Sequence, residues 1–275
     1  MNSANIIHLD TEQLKSYLSK HREHDFVLID VRQPDEYSRL HIPGAQLIPF
    51  PLLEEEITNL PKDKSLIFTC RSGTRSRAAA AIAWETLGSS VTIFNHNGGI
   101  LSWDGKTLSG SPRVRALGEL NDVATVLTTG IDMEKGAWIF YNQIREKFPQ
   151  APFQEAFVSL SRAEENHALA LYKVLRKRDP NVLDFDTMFA ETKGQVLEGG
   201  LSLQEEIDKL SKPISNDPIV LLEMALDIEY AAYDLYRRGA EMANDPELRR
   251  ILYGIAQGEK EHMRSLAASF RYLNK

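Results

Sequence analysis

The sequence predicts a multidomain chain: an α/β unit built on a parallel sheet flanked by helices, then an all-α unit built as a four-helix bundle. Three observations carry this. Up to about residue 110, short apolar runs alternate with helix-like stretches, the order expected when parallel strands are joined by helical crossovers. The Ser/Gly/Pro stretch SGSPR (109–113) then interrupts the pattern. Beyond it come four long amphipathic segments, around 116–147, 152–177, 216–243 and 245–272, with no convincing strand among them. The expected division is a first domain at 1–110, a linker at 111–115 and a second domain at 116–275. A length of 275 residues exceeds the usual single-domain size and supports two units.

In chain order, TEQLKSYLSKH reads as the first helix and FVLIDV (26–31) as the first buried strand. AQLIPF (45–50), SLIFTC (65–70) and VTIF (91–94) read as further buried strands, being short, apolar and rich in β-branched residues or Phe. LLEEEITNL has helical spacing. SRAAAAIAWETLG reads as a helix from Ser76 to Leu87, closed by Gly88 as a C-cap. In the second unit the polar connection 178–215 is long for a bundle turn, and LSLQEEIDKL within it fits a short helix.

Composition narrows the function. Hydrophobic residues make up 43% and charged residues 26%, an ordinary globular balance. A net charge of -7 gives no electrostatic case for binding nucleic acid. The start MNSANIIHLD lacks the basic and apolar regions of a signal peptide, and no apolar run is long enough to span a bilayer, so no membrane partner is expected. The single cysteine, Cys70, excludes an intrachain disulfide and a cysteine-ligated metal site within one chain. A reducing cytoplasm is the expected compartment.

That cysteine sits in LIFTCRSGTRSRAAAAIAW (66–84), between a strand end and a helix start. A loop there turns backbone N–H groups toward the sulfur. The helix N-terminus, Arg71 and Arg75 add positive potential, which together favour a reactive thiolate. A buried core cysteine is not usually followed by Arg, Ser, Gly, Thr and Arg. The spacing also bears on substrate. Cysteine phosphatases place an Arg six residues after the cysteine; here Arg75 is five after Cys70 and Ser76 follows. The cradle is one residue short for a phosphoryl group and suits a persulfide sulfur.

The second unit contains a repeat. DMEKGAWIFY (132–141) matches DIEYAAYDLY (227–236) at Asp, Glu, Ala and the final Tyr. AEENHALAL (163–171) matches GEKEHMRSL (258–266) at Glu, His and the final Leu, at the same offset of 95 residues. The repeated polar residues are Glu134, Glu164 and His167, then Glu229, Glu259 and His262. Residues three apart share a helix face, so each hairpin offers one Glu from one helix and a Glu-x-x-His pair from the other. Four carboxylates and two imidazoles can neutralise and bridge two divalent ions. Six such groups in register are costly to bury without a metal. Trp138, Tyr141 and Tyr236 read as core side chains around them, the alternative for the two tyrosines being hydrogen-bond donors to metal-bound oxygen.

Two resemblances follow from these motifs. CRSGTRS, LIDVRQPDEYSRLHIPGA (28–45) and NGGILSWDGKTL (97–108) resemble, in order, motifs of the rhodanese family over about residues 5–110, with Leu40 where Gly is usual. The resemblance implies that Cys70 takes sulfane sulfur as a persulfide and passes it to a thiol acceptor, with Arg71, Ser72, Gly73, Thr74 and Arg75 forming the cradle. Asp30, Arg32, Glu36 and His41 are expected to make structural hydrogen bonds and ion pairs. Trp103 reads as core. His8, His21, His24 and His96 show no ligand spacing and read as surface or structural.

Residues 116–272 resemble the rubrerythrin branch of the ferritin-like superfamily. This implies an antiparallel bundle with Glu134, Glu164, His167, Glu229, Glu259 and His262 as ligands, Glu164 and Glu259 bridging. Two iron ions are expected, with manganese or a mixed pair compatible with the same donors, and peroxide- or oxygen-reducing chemistry. Rubrerythrins carry a further Glu one turn after the third-helix ligand, where this chain has Ala232, so redox-linked ligand switching is not expected from that position. They also carry a four-cysteine rubredoxin domain that is missing here, which implies an external electron donor. A homodimer is implied by resemblance. The alternative function is a sulfur carrier or sensor joined to a bundle that binds or senses iron without turnover.

Overall fold

The computed structural model describes residues 6–149 and 153–272. The N-terminal residues 1–5, and residue 152 where a helix was expected to begin, lie outside that range. The chain forms two compact units that divide between Ser111 and Pro112.

The first unit runs β1 (Ile7–Leu9), α1 (Thr11–Lys20), β2 (Phe26–Asp30), α2 (Pro34–Arg39), β3 (Gln46–Leu47), α3 (Leu53–Glu56), β4 (Ser65–Thr69), α4 (Thr74–Leu87) and β5 (Ile93–His96). All five strands are parallel, in the order β1-β5-β4-β2-β3. The central strands β2 and β4 carry nearly continuous apolar runs because both faces of the sheet are covered. On one face Val27, Ile29, Leu66 and Phe68 pack with Ala79, Ala80 and Ala83 of α4. On the other, Phe26, Leu28 and Ile67 pack with Leu14 and Tyr37. The alanines of α4 let that helix lie close to the sheet, which fixes where its N-terminus emerges.

Several expectations are corrected. AQLIPF contributes only Gln46–Leu47 to the sheet, because Pro49 and Pro51 turn the chain into a 3₁₀ turn at Phe50–Leu52. LLEEEITNL is not one helix: one α-turn at Leu53–Glu56 is flanked by 3₁₀ turns at Phe50–Leu52 and Ile57–Asn59. The short elements β1 and α2 were not anticipated. The helix after the cysteine begins at Thr74, two residues before the expected Ser76.

The second unit contains α5 (Val123–Lys147), α6 (Gln154–Arg178), α7 (Phe185–Glu191), β6 (Val196–Leu197), β7 (Leu201–Ser202), α8 (Leu203–Leu210), α9 (Pro218–Met242) and α10 (Pro246–Ser269). Helices α5 and α6 form one antiparallel hairpin, α9 and α10 the other, and together they make the four-helix bundle. Aspartates set the starts of α5, α9 and α10: Asp122, Asp217 and Asp245 accept from the backbone N–H of Thr125, Ile219 and Leu248, and Pro218 and Pro246 occupy the first helical position of α9 and α10. Apolar layers lie on both sides of a polar middle. One holds Leu127, Ile131, Leu171, Leu235 and Leu252; the other holds Phe140, Phe157, Leu160, Leu222 and Leu266.

The connection between the hairpins contains α8, as LSLQEEIDKL suggested, and also α7. It further contains an antiparallel pair, β6 with β7, where no strand was expected. Each strand has two residues, too few for an alternating pattern to register. None of the described helices is long and apolar enough to cross a membrane.

Candidate functional site

In the first unit the chain leaves β4 at Thr69 and reaches Cys70, which is buried, while Arg71 and Ser72 are exposed. The sulfur therefore lies at the floor of a short loop. Gly73 has φ +90°, the left-handed region that favours glycine, and its N–H donates to Cys70 Sγ at 3.1 Å. A Cβ on Gly73 would meet Gly98 N at 2.8 Å. Helix α4 starts at the next residue. Thr74 and Arg75 thus belong to its first turn, and the sulfur faces its N-terminal end.

The loop is braced from the segment after β5. Ile100 N–H donates to Cys70 O at 2.8 Å and Leu101 N–H to Arg71 O at 3.0 Å. Gly99 has φ +58°, and a Cβ there would lie 2.4 Å from Cys70 O. The NGG motif is thus a steric requirement of the cysteine loop. Beneath it, His96 is buried between the Thr11 and Thr69 hydroxyls at 3.1 and 3.0 Å, and burial pushes its pKa down to about 4. Trp103 is half-buried against the core and donates to Lys106 O at 2.9 Å.

Burial alone would push the Cys70 thiol up. The Ser76 hydroxyl and the backbone N–H groups of Ser76, Ser72 and Gly73 push it down by more, so the net direction is down. Ser76 is buried and its hydroxyl has no hydrogen bond of normal geometry among the described residues, leaving its proton free to turn toward sulfur.

Arg75 is also tied to α2. Its guanidinium is held in a two-bond pair with Glu36, both contacts at 2.7 Å, and Arg75 holds the Glu36 carboxyl down at about 2. Glu36, expected to make structural hydrogen bonds and ion pairs, makes its ion pair with the cysteine loop. Asp30 and Arg32 form a buried pair at 2.6 Å, and Arg32 also caps Leu40 O at 2.8 Å. His41 is buried and stacks on Tyr37 with ring centroids 4.1 Å apart.

In the second unit all six repeat residues converge between the apolar layers. Glu134, Glu164, Glu229 and Glu259 are fully buried. Glu164 turns one oxygen toward each imidazole: Oε2 lies 3.4 Å from His167 Nδ1 and Oε1 3.4 Å from His262 Nδ1. Glu259 does the same, with Oε1 at 3.2 Å from His167 Nδ1 and Oε2 at 3.0 Å from His262 Nδ1. The outer carboxylates take one histidine each: Glu134 Oε2 is 3.4 Å from His167 Nδ1, and Glu229 Oε2 is 2.9 Å from His262 Nδ1. The rings stack with centroids 5.0 Å apart. Gly258 makes room for one of them, since a Cβ there would lie 2.3 Å from His167 Nε2.

The tyrosines are more than core. Tyr141 donates to Glu229 Oε1 and Tyr236 to Glu134 Oε1, each crossing to the other hairpin. Burial, then the neighbouring carboxylates, push both phenols well above their ordinary pKa, so each keeps the proton it donates. Burial likewise raises the Glu164 and Glu229 carboxyls. Burial alone would lower both histidines; the surrounding carboxylates outweigh it and push His262 up to about 12 and His167 well above its usual value. The same imidazoles hold Glu259 low against its burial.

Glu134 Oε2, both oxygens of Glu164 and Glu259, and His167 Nδ1 have no hydrogen-bond partner among the described residues. Such atoms are costly to bury unless a cation joins them. One donor atom from each of Glu164, His167, Glu259 and His262 falls within a span of 4.8 Å, so the residues present fit a bound metal ion. Glu229 stands outside that tight set, its oxygens engaged by Tyr141 and His262. Sequence reasoning missed one member. Glu198, between β6 and β7, is fully buried and lies within the same span of Glu134, Glu164, His167 and Glu259. Its signal was an acid followed by two glycines inside the apolar VLEGGL, in an otherwise polar connection.

Comparison with known proteins agrees with both units. A sequence profile described as Rhodanese-like domain matches residues 10–106, and one described as Rubrerythrin matches residues 125–270. The first unit is similar to a sulfurtransferase of Allochromatium vinosum, 33% identical over 34% of this chain and 85% of that protein. It is 37% identical to the thiosulfate:glutathione sulfurtransferase of Saccharomyces cerevisiae, over 30% of this chain and 68% of the relative. It is 39% identical to the probable adenylyltransferase/sulfurtransferase MoeZ of Mycobacterium tuberculosis, over 33% of this chain and only 23% of MoeZ's length.

Proposed function

Because the chain belongs to the rubrerythrin family through residues 125–270 and carries a rhodanese-like domain over residues 10–106, we propose that it is a sulfurtransferase working through a persulfide on Cys70, joined to a bundle that holds two metal ions, iron expected, and reduces peroxide or oxygen. The transferase reading rests above all on the Cys70 sulfur meeting the Gly73 N–H at the start of α4. The bundle reading rests on Glu164 and Glu259 each presenting one oxygen to either histidine.

In the first half-reaction the Cys70 thiolate attacks the outer sulfur of thiosulfate. The new S–S bond forms as the old one breaks, and sulfite leaves with the electron pair. In the second, a thiolate acceptor attacks the outer sulfur of the persulfide and Cys70 leaves as thiolate. The loop N–H groups stabilise that thiolate in both steps. The name of the yeast relative supports thiosulfate as donor and a small thiol as acceptor. Arg75 holds the loop through Glu36, and the exposed Arg71 is left to attract an anionic donor.

In the bundle, Glu134 with His167 would hold one ion and Glu229 with His262 the other, Glu164 and Glu259 spanning both. Redox metals held there would supply the electrons that reduce peroxide or oxygen. Tyr141 and Tyr236 orient the outer carboxylates, and the two apolar layers exclude bulk water. With one cysteine in the chain, electrons come from a separate donor. A reducing cytoplasm, where the lone thiol persists, and a homodimer complete the reading.

Cys70→Ser is expected to lower thiosulfate:thiol transfer by more than about 100-fold, with metal content unchanged near two ions per chain. Transfer surviving in that variant sinks the persulfide mechanism. A metal-free bundle from metal-replete cells sinks the second half. A bundle that holds iron but shows no peroxide turnover with any of several reduced donors leaves a storage or sensing role.

A further inference from the structure

The connection between the hairpins brings a carboxylate into the bundle that neither copy of the repeat contains. Glu198 follows β6 and precedes β7, so the tip of a two-stranded ribbon carries it. It is fully buried, and neither of its oxygens has a hydrogen-bond partner among the described residues. An oxygen of Glu198 and donor atoms of Glu134, Glu164, His167 and Glu259 all lie within 4.8 Å of one another. This is the side of the cluster that holds His167; Glu198 does not join the set that contains His262.

The ribbon is fitted to deliver this one side chain. Gly199 and Gly200 both have positive φ, +71° and +73°, which turns the chain sharply once Glu198 has entered. A Cβ on Gly199 would lie 2.4 Å from Ala231 Cβ on α9, and a Cβ on Gly136 of α5 would lie 2.4 Å from Val196 O. Positions 136 and 231 correspond in the 95-residue repeat, so small residues admit the ribbon at both equivalent places. Gly194 N–H donates to Asp132 Oδ1 at 2.9 Å, and Arg113 Nη1 donates to Gly200 O at 2.9 Å. The segment is tied at both ends, and the carboxylate between the ties points into the cluster.

Building on the two-metal reading of the bundle, we propose that Glu198 is a seventh metal ligand, a terminal carboxylate on the Glu134–His167 ion alone, so that the two metal positions differ in charge and in donor number. The Glu134–His167 ion has the donors Glu134, His167 and Glu198, besides the two spanning carboxylates. Among the described residues the Glu229–His262 position has no counterpart to Glu198. A terminal anionic oxygen adds affinity for a hard divalent ion, so the Glu134–His167 position should fill first.

The test is a titration of the full-length, chelator-stripped protein with Co²⁺ alone, followed by visible absorption and by calorimetry, comparing the natural chain with Glu198→Gln and Gly199→Val. Glutamine keeps the shape and removes the charge. Valine leaves Glu198 in the chain but cannot fit against Ala231, so it displaces the ribbon. The natural chain should bind two ions in two resolvable steps. Both variants should lose at least about 10-fold in the tighter step, keep the weaker step within about 3-fold, and show a changed absorption spectrum only for the first ion. Circular dichroism checks that helix content is retained, and if Gly199→Val unfolds, the glutamine variant decides. Two ions bound by Glu198→Gln with unchanged affinities and spectra overturn the proposal and leave the two-metal reading standing. A natural chain that binds no Co²⁺ overturns both.

Discussion

Tyr141 and Tyr236 hold matching places in the two hairpins, and each donates its proton to a glutamate of the other. Removing either hydroxyl strands a buried carboxylate oxygen. Tyr141→Phe and Tyr236→Phe are each expected to weaken metal binding about 10- to 100-fold, read by Co²⁺ titration, with helix content unchanged. At the cysteine the direction of the pKa shift gives a second expectation. The folded thiol lies below its ordinary value of 9.0, so thiolate is present at lower pH than in a free thiol. The pH dependence of alkylation by iodoacetamide should therefore have its midpoint below 9.0, and Ser76→Ala should move it upward. Glu36 acts at one remove, through Arg75. Glu36→Gln should lower kcat/KM for sulfur transfer on the order of 10- to 100-fold by loosening the loop. Restoration of the rate in Glu36→Asp would support positioning by charge.

At the scale of elements, the glycines after β5 tie one end of the sheet to the reactive loop. Gly99→Ala puts a Cβ against Cys70 O and forces a positive φ on a residue that resists it. This should cost the first unit about 1–3 kcal/mol, seen as a lower midpoint in urea, and sulfur transfer should fall with it. What the sequence made legible follows from period and length. Helices α5, α6, α9 and α10 carry a repeated apolar face, and the i, i+3 spacing of Glu and His marks one side of a helix, so six polar groups could be grouped without coordinates. Strands β2 and β4 stood out as continuous apolar runs. The pair β6–β7 has two residues a side, and β1 has three, too few to show alternation. Glu198 belongs to no period at all; only the fold of the connection brings it to the cluster. The two-bond contact between Glu36 and Arg75 spans 39 residues and leaves no local mark.

Over the whole molecule, the two units should answer differently to acid and to chelators. His96 has its folded pKa near 4, below the ordinary 6.5. Its neutral form is the one the fold accepts. The stability it contributes is complete above pH 6.5 and is lost as pH falls toward 4, up to about 3 kcal/mol. Glu36 is lowered too, from 4.5 to about 2, so its contribution is complete above pH 4.5 and is lost as pH falls from there toward 2. Between pH 6.5 and 4.5 the calorimetric transition of the first unit should therefore move down through His96 and not through the Glu36–Arg75 pair. His96→Asn should flatten that dependence. Chelation should lower the transition of the bundle alone, because cations held among its buried carboxylates would stabilise only that unit. The connection that carries Glu198 has one more consequence. A duplicated hairpin generates an approximate two-fold axis, and anything inherited by both copies must respect it. The segment joining the copies exists once, so it is the place where the symmetry can be broken without altering either copy. Through it the protein acquires a left and a right, and with iron bound its two nuclei should give two Mössbauer doublets rather than one.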